Sequence, residues 1–514
     1  MPSFKEGERL TLATLTEAYD SLVSALMIET PIIGAVKELW PIMASALHIL
    51  GACAVTLHAL LRKKDVNSAI AWIGLAWLSP IIGSIAYLML GINRIQRTGV
   101  SLGLTKVWDH DPDQHLTGEE KKLIHHAKLE HPNFLGLVKL GSRLIGKPLL
   151  LGNTIDPLIN GDAAFPEMLK AIDQASVSVS LNSYIFDSDR VGDQFIEALK
   201  KAKDRGVEVR VMIDGVGSRY SKPSMVGRLK EAGLNVAEFL PSRAPWSMAF
   251  ANLRNHRKIL VVDGKIGFTG GTNIREGHSL NLKPIFPVAC LHFRIDGPAV
   301  AELQEAFAID WAFTNKEELK GTTWFPTLER SGTVISRGVP DGPDEDLDKI
   351  NEIILGALSV ARERVRIITP YFLPSYSILD ALSVTAMRGV QVEILLPSKN
   401  NIPIMNWAVV PQLPRLIEKG CDIYISSAPF DHTKLLVVDR LWSLIGSTNW
   451  DARSMRLNFE FNLECYDAEL AGRLDAIIDE KLGRARQVTA DEINARSLPT
   501  RLRDGAARLF SPYL

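Results

Sequence analysis

Two short stretches of this 514-residue chain carry the same polar residues in the same order. In NHRKILVVD (255–263), His256 and Lys258 precede an apolar run closed by Asp263; in DHTKLLVVD (431–439), His432 and Lys434 precede one closed by Asp439. Each stretch runs into a turn of small residues, GFTGGTN or LIGSTN, and Asn273 and Asn449 each stand 17 residues after their His. An imidazole changes charge near neutral pH, so it can attack, give a proton or take one. An ammonium group beside it stabilises anionic oxygens. The hydroxyls and amides of Thr272, Asn273, Ser447 and Asn449 can bind phosphate oxygens. One His-x-Lys ahead of a strand is ordinarily a solvated strand entrance. Two, with the same turn at the same distance, point to a bipartite site.

The elements that must position these residues are also duplicated. The runs ILVV and LLVV read as buried strands, and period-two alternation sets His and Lys of each motif on one face. Upstream, MLKAIDQA reads as helix, SVSVSLNSYIF as strand, GDQFIEALKKAKDRG as helix and VEVRVMID as strand. ILGALSVARE, RVRIITPYF, SILDALSVTAMRG and VQVEILLP repeat that order, with Tyr184 matching Tyr371 and Gly206-Val207 matching Gly389-Val390. The Tyr-to-His interval is 72 residues in one copy and 61 in the other, as loop insertions in a repeated unit would give. The glycine-rich turn suits close approach of backbone to a ligand.

These motifs resemble the phospholipase D superfamily. The segments AWIGLAWLSPIIGSIAYLMLG, NTIDPLINGDAAFPEMLKAI, HFRIDGPAVAELQEAFAIDW and GSTNWDARSMRLNFEFN are similar to bacterial cardiolipin synthases. The resemblance implies an α/β fold of two duplicated α/β/α sandwich halves, at 151–330 and 331–514, packed around one site. An N-terminal segment (1–39), a transmembrane helical hairpin (40–95) and a lead-in (96–150) would precede them. It also implies a phosphatidyltransferase that turns two phosphatidylglycerols into cardiolipin and glycerol through a phospho-His. His256 would be the nucleophile, His432 the acid and base, and Lys258 and Lys434 the stabilisers of phosphoryl charge. Asp263 and Asp439, counted with the motifs, read as anchors of the loop after the strand. Glu460, 28 residues after His432, stands where the family has a carboxylate that orients the imidazole, and is expected behind His432. The first half has Cys290 where an acid is expected, which leaves His256 without a partner unless Glu276 supplies one. No metal or cofactor is expected. One chain holds both halves, so a monomer suffices for the site. The alternatives are a hydrolase with water as acceptor, a transferase using phosphatidylethanolamine or another alcohol, a nuclease, and an inactive membrane scaffold.

Composition fits this frame. Lys and Arg number 58 against 59 acidic residues, so no overall basic field exists to hold nucleic acid. The four cysteines form no CxxC, which argues against a disulfide framework or zinc site. Trp40 to Leu61 (22 residues) and Ala69 to Gly91 (23 residues) contain no Asp, Glu, Lys or Arg. At about 1.5 Å per residue each is long enough for the roughly 30 Å hydrocarbon layer of a bilayer. They read as two membrane crossings in the bacterial inner membrane, with the catalytic part placed on the cytoplasmic side by analogy. Basic residues on the two sides nearly balance and do not orient the pair. The apolar stretch APWSMAFANL just before the first motif reads as a lipid entrance.

Overall fold

A computed structural model describes residues 31–511 except 64–65, 80, 92–131, 242–252, 344–345 and 347. All but the last residue of APWSMAFANL lies outside the described residues. The chain divides into two compact units, Met1–Asn93 and Arg94–Leu514.

In the larger unit the first half lays down β1 (Leu150–Ile159), β2 (Ser178–Ser183), β3 (Glu208–Asp214), β4 (Asn235–Phe239), β5 (Arg254–Asn255), β6 (Ile259–Val262), β7 (Ile266–Gly270), β8 (Val288–Ala289) and β9 (Leu291–Asp296). The second lays down β10 (Val334–Asp341), β11 (Arg364–Ile368), β12 (Phe372–Leu373), β13 (Gln391–Pro397), β14 (Cys421–Ser426), β15 (Phe430–Asp431), β16 (Leu435–Val438), β17 (Trp442–Gly446), β18 (Trp450–Asp451), β19 (Asn458–Tyr466) and β20 (Arg486–Val488). The first half orders its strands β1-β9-β7-β6-β2-β3-β4, and the second repeats the pattern as β10-β19-β17-β16-β11-β13-β14. Antiparallel pairing of β1 with β10, and of β10 with β19, joins the two into one continuous sheet.

The motif strands lie inside this sheet and are covered on both faces, which is why they read as unbroken apolar runs. In β6, Ile259 and Val261 face a core shared with Leu435 and Val437 of β16, Phe307 and Leu474. Leu260 and Val262 face a core private to the first half, and Leu436 and Val438 one private to the second. The halves therefore share a core layer as well as a sheet. The helix Phe134–Ile145 is tied to the second half by Arg337 of β10, which is fully buried. Its guanidinium donates to Glu464 Oε1, Ser142 Oγ and two carbonyls of that helix and the loop after it. Gly141 is required there, because a Cβ would stand 1.9 Å from Arg337 Nη2.

In the smaller unit the helix Pro31–Arg62 includes a 24-residue span, Leu39–Arg62, of mean hydropathy 1.7, long and apolar enough to cross a membrane. The second expected crossing departs from a single helix. It divides into the helices Val66–Leu78 and Ile82–Ala86 and a π-helical turn Tyr87–Gly91, with Ile81 in a left-handed conformation at φ 62°. Ala52, Val55, Ala59, Trp72, Ala76 and Tyr87 pack between these helices, and His58 Nδ1 meets Tyr87 Oη at 2.7 Å.

Candidate active site

Each motif His follows a two-residue strand that pairs with a strand of the other half. β5, just before His256, pairs in parallel with β19, and the His256 amide donates to Phe459 O at 2.9 Å. β15, just before His432, pairs in parallel with β8, and the His432 amide donates to Ala289 O at 2.7 Å. The two crossings are equivalent and bring the imidazole rings to 6.5 Å between centroids.

That crossing corrects the expected pairing of Glu460. The residue after Phe459 is Glu460, and its carboxylate accepts from His256 Nδ1, at 2.9 and 3.0 Å to its two oxygens, rather than from His432. The residue after Ala289 is Cys290, which lies against His432 and not against His256. Its thiol donates to backbone carbonyls at Leu291 and His432. The His432 ring instead meets Gly271 O through Nδ1 at 3.0 Å. Glu276 is no substitute carboxylate for either ring, since it pairs with Arg190. A carbonyl or carboxylate oxygen can only accept, so both Nδ1 atoms carry hydrogen and both Nε2 atoms keep a lone pair.

Glu460 is fully buried and held by Ser447 Oγ and Asn458 Nδ2 as well as His256. Burial alone would raise its pKa, but His256, Lys258 and Ser447 hold it below the usual range, so it stays ionised. Burial lowers His256 to about 4 against the opposing pull of Glu460. His432 is pushed well below its ordinary value by burial and then by Lys434. Lys258 and Lys434 curl back to donate to the carbonyls of His256 and His432, each at 2.7 Å. Burial lowers Lys258 to about 7 and Lys434 to about 8. The site thus carries neutral imidazoles and reluctant cations, a setting that an anionic phosphodiester would complement.

The remaining expected residues divide. Asp263 and Asp439 lie at the far ends of their strands, away from the imidazoles. Asp263 accepts from the amides of Ser176, Val177 and Ser178, and Asp439 from those of Arg362, Glu363 and Arg364, so each pins the start of a neighbouring strand. Ser447 is committed to Glu460 and to the Phe461 amide rather than free for a phosphate. Asn273 accepts from the Ile185 amide, and Asn449 donates to Ser454 Oγ. The Thr272 hydroxyl and Asn449 Oδ1 are buried without a partner, so they are the turn atoms best placed to receive one. The close approach at the first glycine turn is to the protein's own second motif: a Cβ on Gly271 would stand 2.8 Å from His432 O and 2.6 Å from Cys290 Sγ.

Further aromatic and imidazole side chains surround the two rings, Phe430 among them at 5.9 Å from His432. Tyr184 stacks edge-on to His256 at 5.0 Å and carries Lys258 Nζ over its ring at 5.4 Å. Tyr371 lies 6.3 Å from His432, and the buried His278 lies 6.1 Å from it. The matched tyrosines were legible as landmarks of the repeat; His278 has no repeated counterpart to mark it. In the first motif, Arg257 forms a buried pair with Asp310 at 2.8 Å that also draws in Asn255.

The model of the "Cardiolipin synthase, PLD-like domain" matches residues 168–284 and 354–482, one match on each motif-bearing half. The model of the "Phospholipase_D-nuclease N-terminal" region matches residues 51–91. A cardiolipin synthase of Oceanobacillus iheyensis is 31% identical over 464 residues, covering 88% of this chain and 95% of that protein. The major cardiolipin synthase ClsA of Bacillus subtilis is 29% identical, covering 92% and 99%. Among solved structures, a phosphatidylserine synthase of Haemophilus influenzae shares the fold at TM-score 0.58 and 15% identity, covering 73% of this chain and all of that one. Both motif-bearing halves and the apolar segment before them find their place in one group of proteins, and the chain belongs to the phospholipase D-like cardiolipin synthase family.

Proposed function

We propose that this protein is a membrane phosphatidyltransferase that joins two phosphatidylglycerols into cardiolipin and releases glycerol. The observation that carries the reading is the convergence of two imidazoles with free Nε2 atoms, each beside a lysine, in one buried centre. His256 Nε2 attacks phosphorus while the bond from phosphorus to the glycerol oxygen breaks, and His432 gives that oxygen its proton. Neutral His432 becomes an imidazolium donor when the bound anion offsets the burial that lowers its pKa. The hydroxyl of a second phosphatidylglycerol then attacks the phospho-His, loses its proton to His432 and frees His256. Lys258 and Lys434 hold the oxygens on which negative charge grows. Glu460 keeps hydrogen on His256 Nδ1 and stabilises the charged ring of the intermediate, which supports His256 as nucleophile. One diester replaces another, so no nucleotide is needed to drive the exchange. The apolar segments of residues 40–91 anchor the protein by two crossings, with the larger unit on the cytoplasmic side.

The test is incubation of the full-length protein with phosphatidylglycerol vesicles. Cardiolipin and glycerol should form in equal amounts, whereas phosphatidic acid without cardiolipin would make the protein a hydrolase. The His256→Ala variant should accumulate no phospho-His; a trapped intermediate in that variant would reverse the roles of the two histidines.

A further inference from the structure

Beyond the carboxyl ends of the parallel strands β2 and β3 lies a cleft of about 270 Å³, lined by Asp187, Tyr220, Lys222, Arg275, Ile285 and Phe286 among others. Ligands of open α/β sheets bind off this end of the strands. Neither imidazole lines the cleft, but each is one side chain removed from its wall. Tyr220 contacts the Tyr184 ring, which packs on His256. Gly277, also in its wall, is followed directly by His278, which packs on His432.

Its chemistry is mixed in a specific way. Asp187 pairs with Arg275 Nε through Oδ2 at 3.1 Å, while Oδ1 is buried and accepts no hydrogen bond. A buried carboxylate oxygen left in that state costs free energy until a donor such as a hydroxyl reaches it. Arg275 and Lys222 add positive charge beside it, while the other two carboxylates of the wall are already engaged, Asp189 by the Gly192 and Glu276 amides and Glu276 by Arg190. At the rim, Ile285 and Phe286 are 87% and 78% exposed, which sets apolar surface against a polar floor. An amphiphile whose head carries hydroxyls and a phosphate has that same division. The volume lies just below the roughly 300 Å³ at which drug-sized pockets begin, enough for a head group and not for a diacyl lipid.

The second half lacks this arrangement. By the match of Tyr184 with Tyr371 and Asn273 with Asn449, Asp187 corresponds to Pro374 and Arg275 to Asp451. Asp451 instead caps the helix Ala452–Arg456 through the Ser454 amide. A site present in one half only can distinguish the two lipids of a reaction between otherwise identical molecules.

Building on the function proposed above, we propose that this cleft binds the glycerol head group of the acceptor lipid and delivers its hydroxyl to His432, with Ile285 and Phe286 meeting the acyl region.

The test is a partition measurement with full-length Asp187→Asn and Arg275→Gln variants, using phosphatidylglycerol vesicles in the presence of ethanol. The phospho-enzyme then divides among cardiolipin, phosphatidylethanol and phosphatidic acid. That ratio depends only on the second step and not on how much enzyme is folded. Ethanol has no vicinal diol to engage the cleft, so both variants should lower the cardiolipin-to-phosphatidylethanol ratio at least tenfold. An unchanged ratio in both variants, whatever the total rate, would overturn the assignment of the cleft. A wild-type protein giving phosphatidylethanol and phosphatidic acid but no cardiolipin would instead overturn the function on which the assignment rests.

Discussion

The two imidazoles are backed by different chemistry: a buried carboxylate for His256 and a peptide carbonyl for His432. Glu460 raises the pKa of both His256 and Lys258 against the burial that lowers them. In the Glu460→Gln variant Lys258 should therefore lose its proton at lower pH than its present value of about 7. The alkaline fall of kcat/KM, expected near pH 7 to 8 from the two lysines, should move toward acid. Turnover should drop by a factor on the order of 10 to 100, as for loss of other carboxylates that orient a functional imidazole. A pH profile that kept its alkaline limb would separate Glu460 from Lys258. Cys290 contrasts with it. Burial raises its pKa and keeps it a thiol, which donates to backbone carbonyls and lies beside the Thr272 hydroxyl. Cys290→Ala should change the rate of cardiolipin formation less than about threefold, whereas a loss as large as that of Glu460→Gln would give the thiol a part in the reaction.

At the scale of elements, most of the motif-bearing halves was legible. Apolar runs of four residues, helices of 12 to 15 residues with periodic faces, and repeated landmarks define units that the sheet order then repeats. The crossed delivery of each His was not legible. It depends on β5 and β15, two residues each, too short to carry any periodic pattern. The partner of His256 lies 204 residues away, and sequence proximity pointed to His432 instead. The apolar length of residues 69–91 was visible; the break at Ile81 is signalled not by apolar length but by Pro80 just before it, since a proline ends or kinks a helix. One buried ion pair holds an element that the motifs do not mark. Replacing Arg337 by Met would leave Glu464 charged and fully buried against an apolar chain, at a cost of about 3–5 kcal/mol. A lowered midpoint of chemical denaturation in Arg337→Met, partly restored by adding Glu464→Leu, would confirm that the cost is the stranded charge.

For the whole molecule, the division after Asn93 leaves the membrane-length helix in the smaller unit and both histidine motifs in the larger. A chain beginning at residue 94 should resist membrane recovery after alkaline extraction yet still convert phosphatidylglycerol in mixed detergent micelles. Its full retention in extracted membranes would assign the attachment to the larger unit, whose C-terminal helix Leu498–Arg508 exposes Leu498 and Leu502 beside arginines.

The reciprocal pairing of β5 with β19 and β15 with β8 has a further consequence for how such a chain can vary. In a pair of identical half-length subunits, a change at the position of Glu460 would strike both imidazoles together. Within one continuous chain each copy of that position supports the other copy's histidine, so one can change while the other is kept. Here the two copies of the position differ, with a carboxylate behind His256 and a thiol at Cys290 against His432.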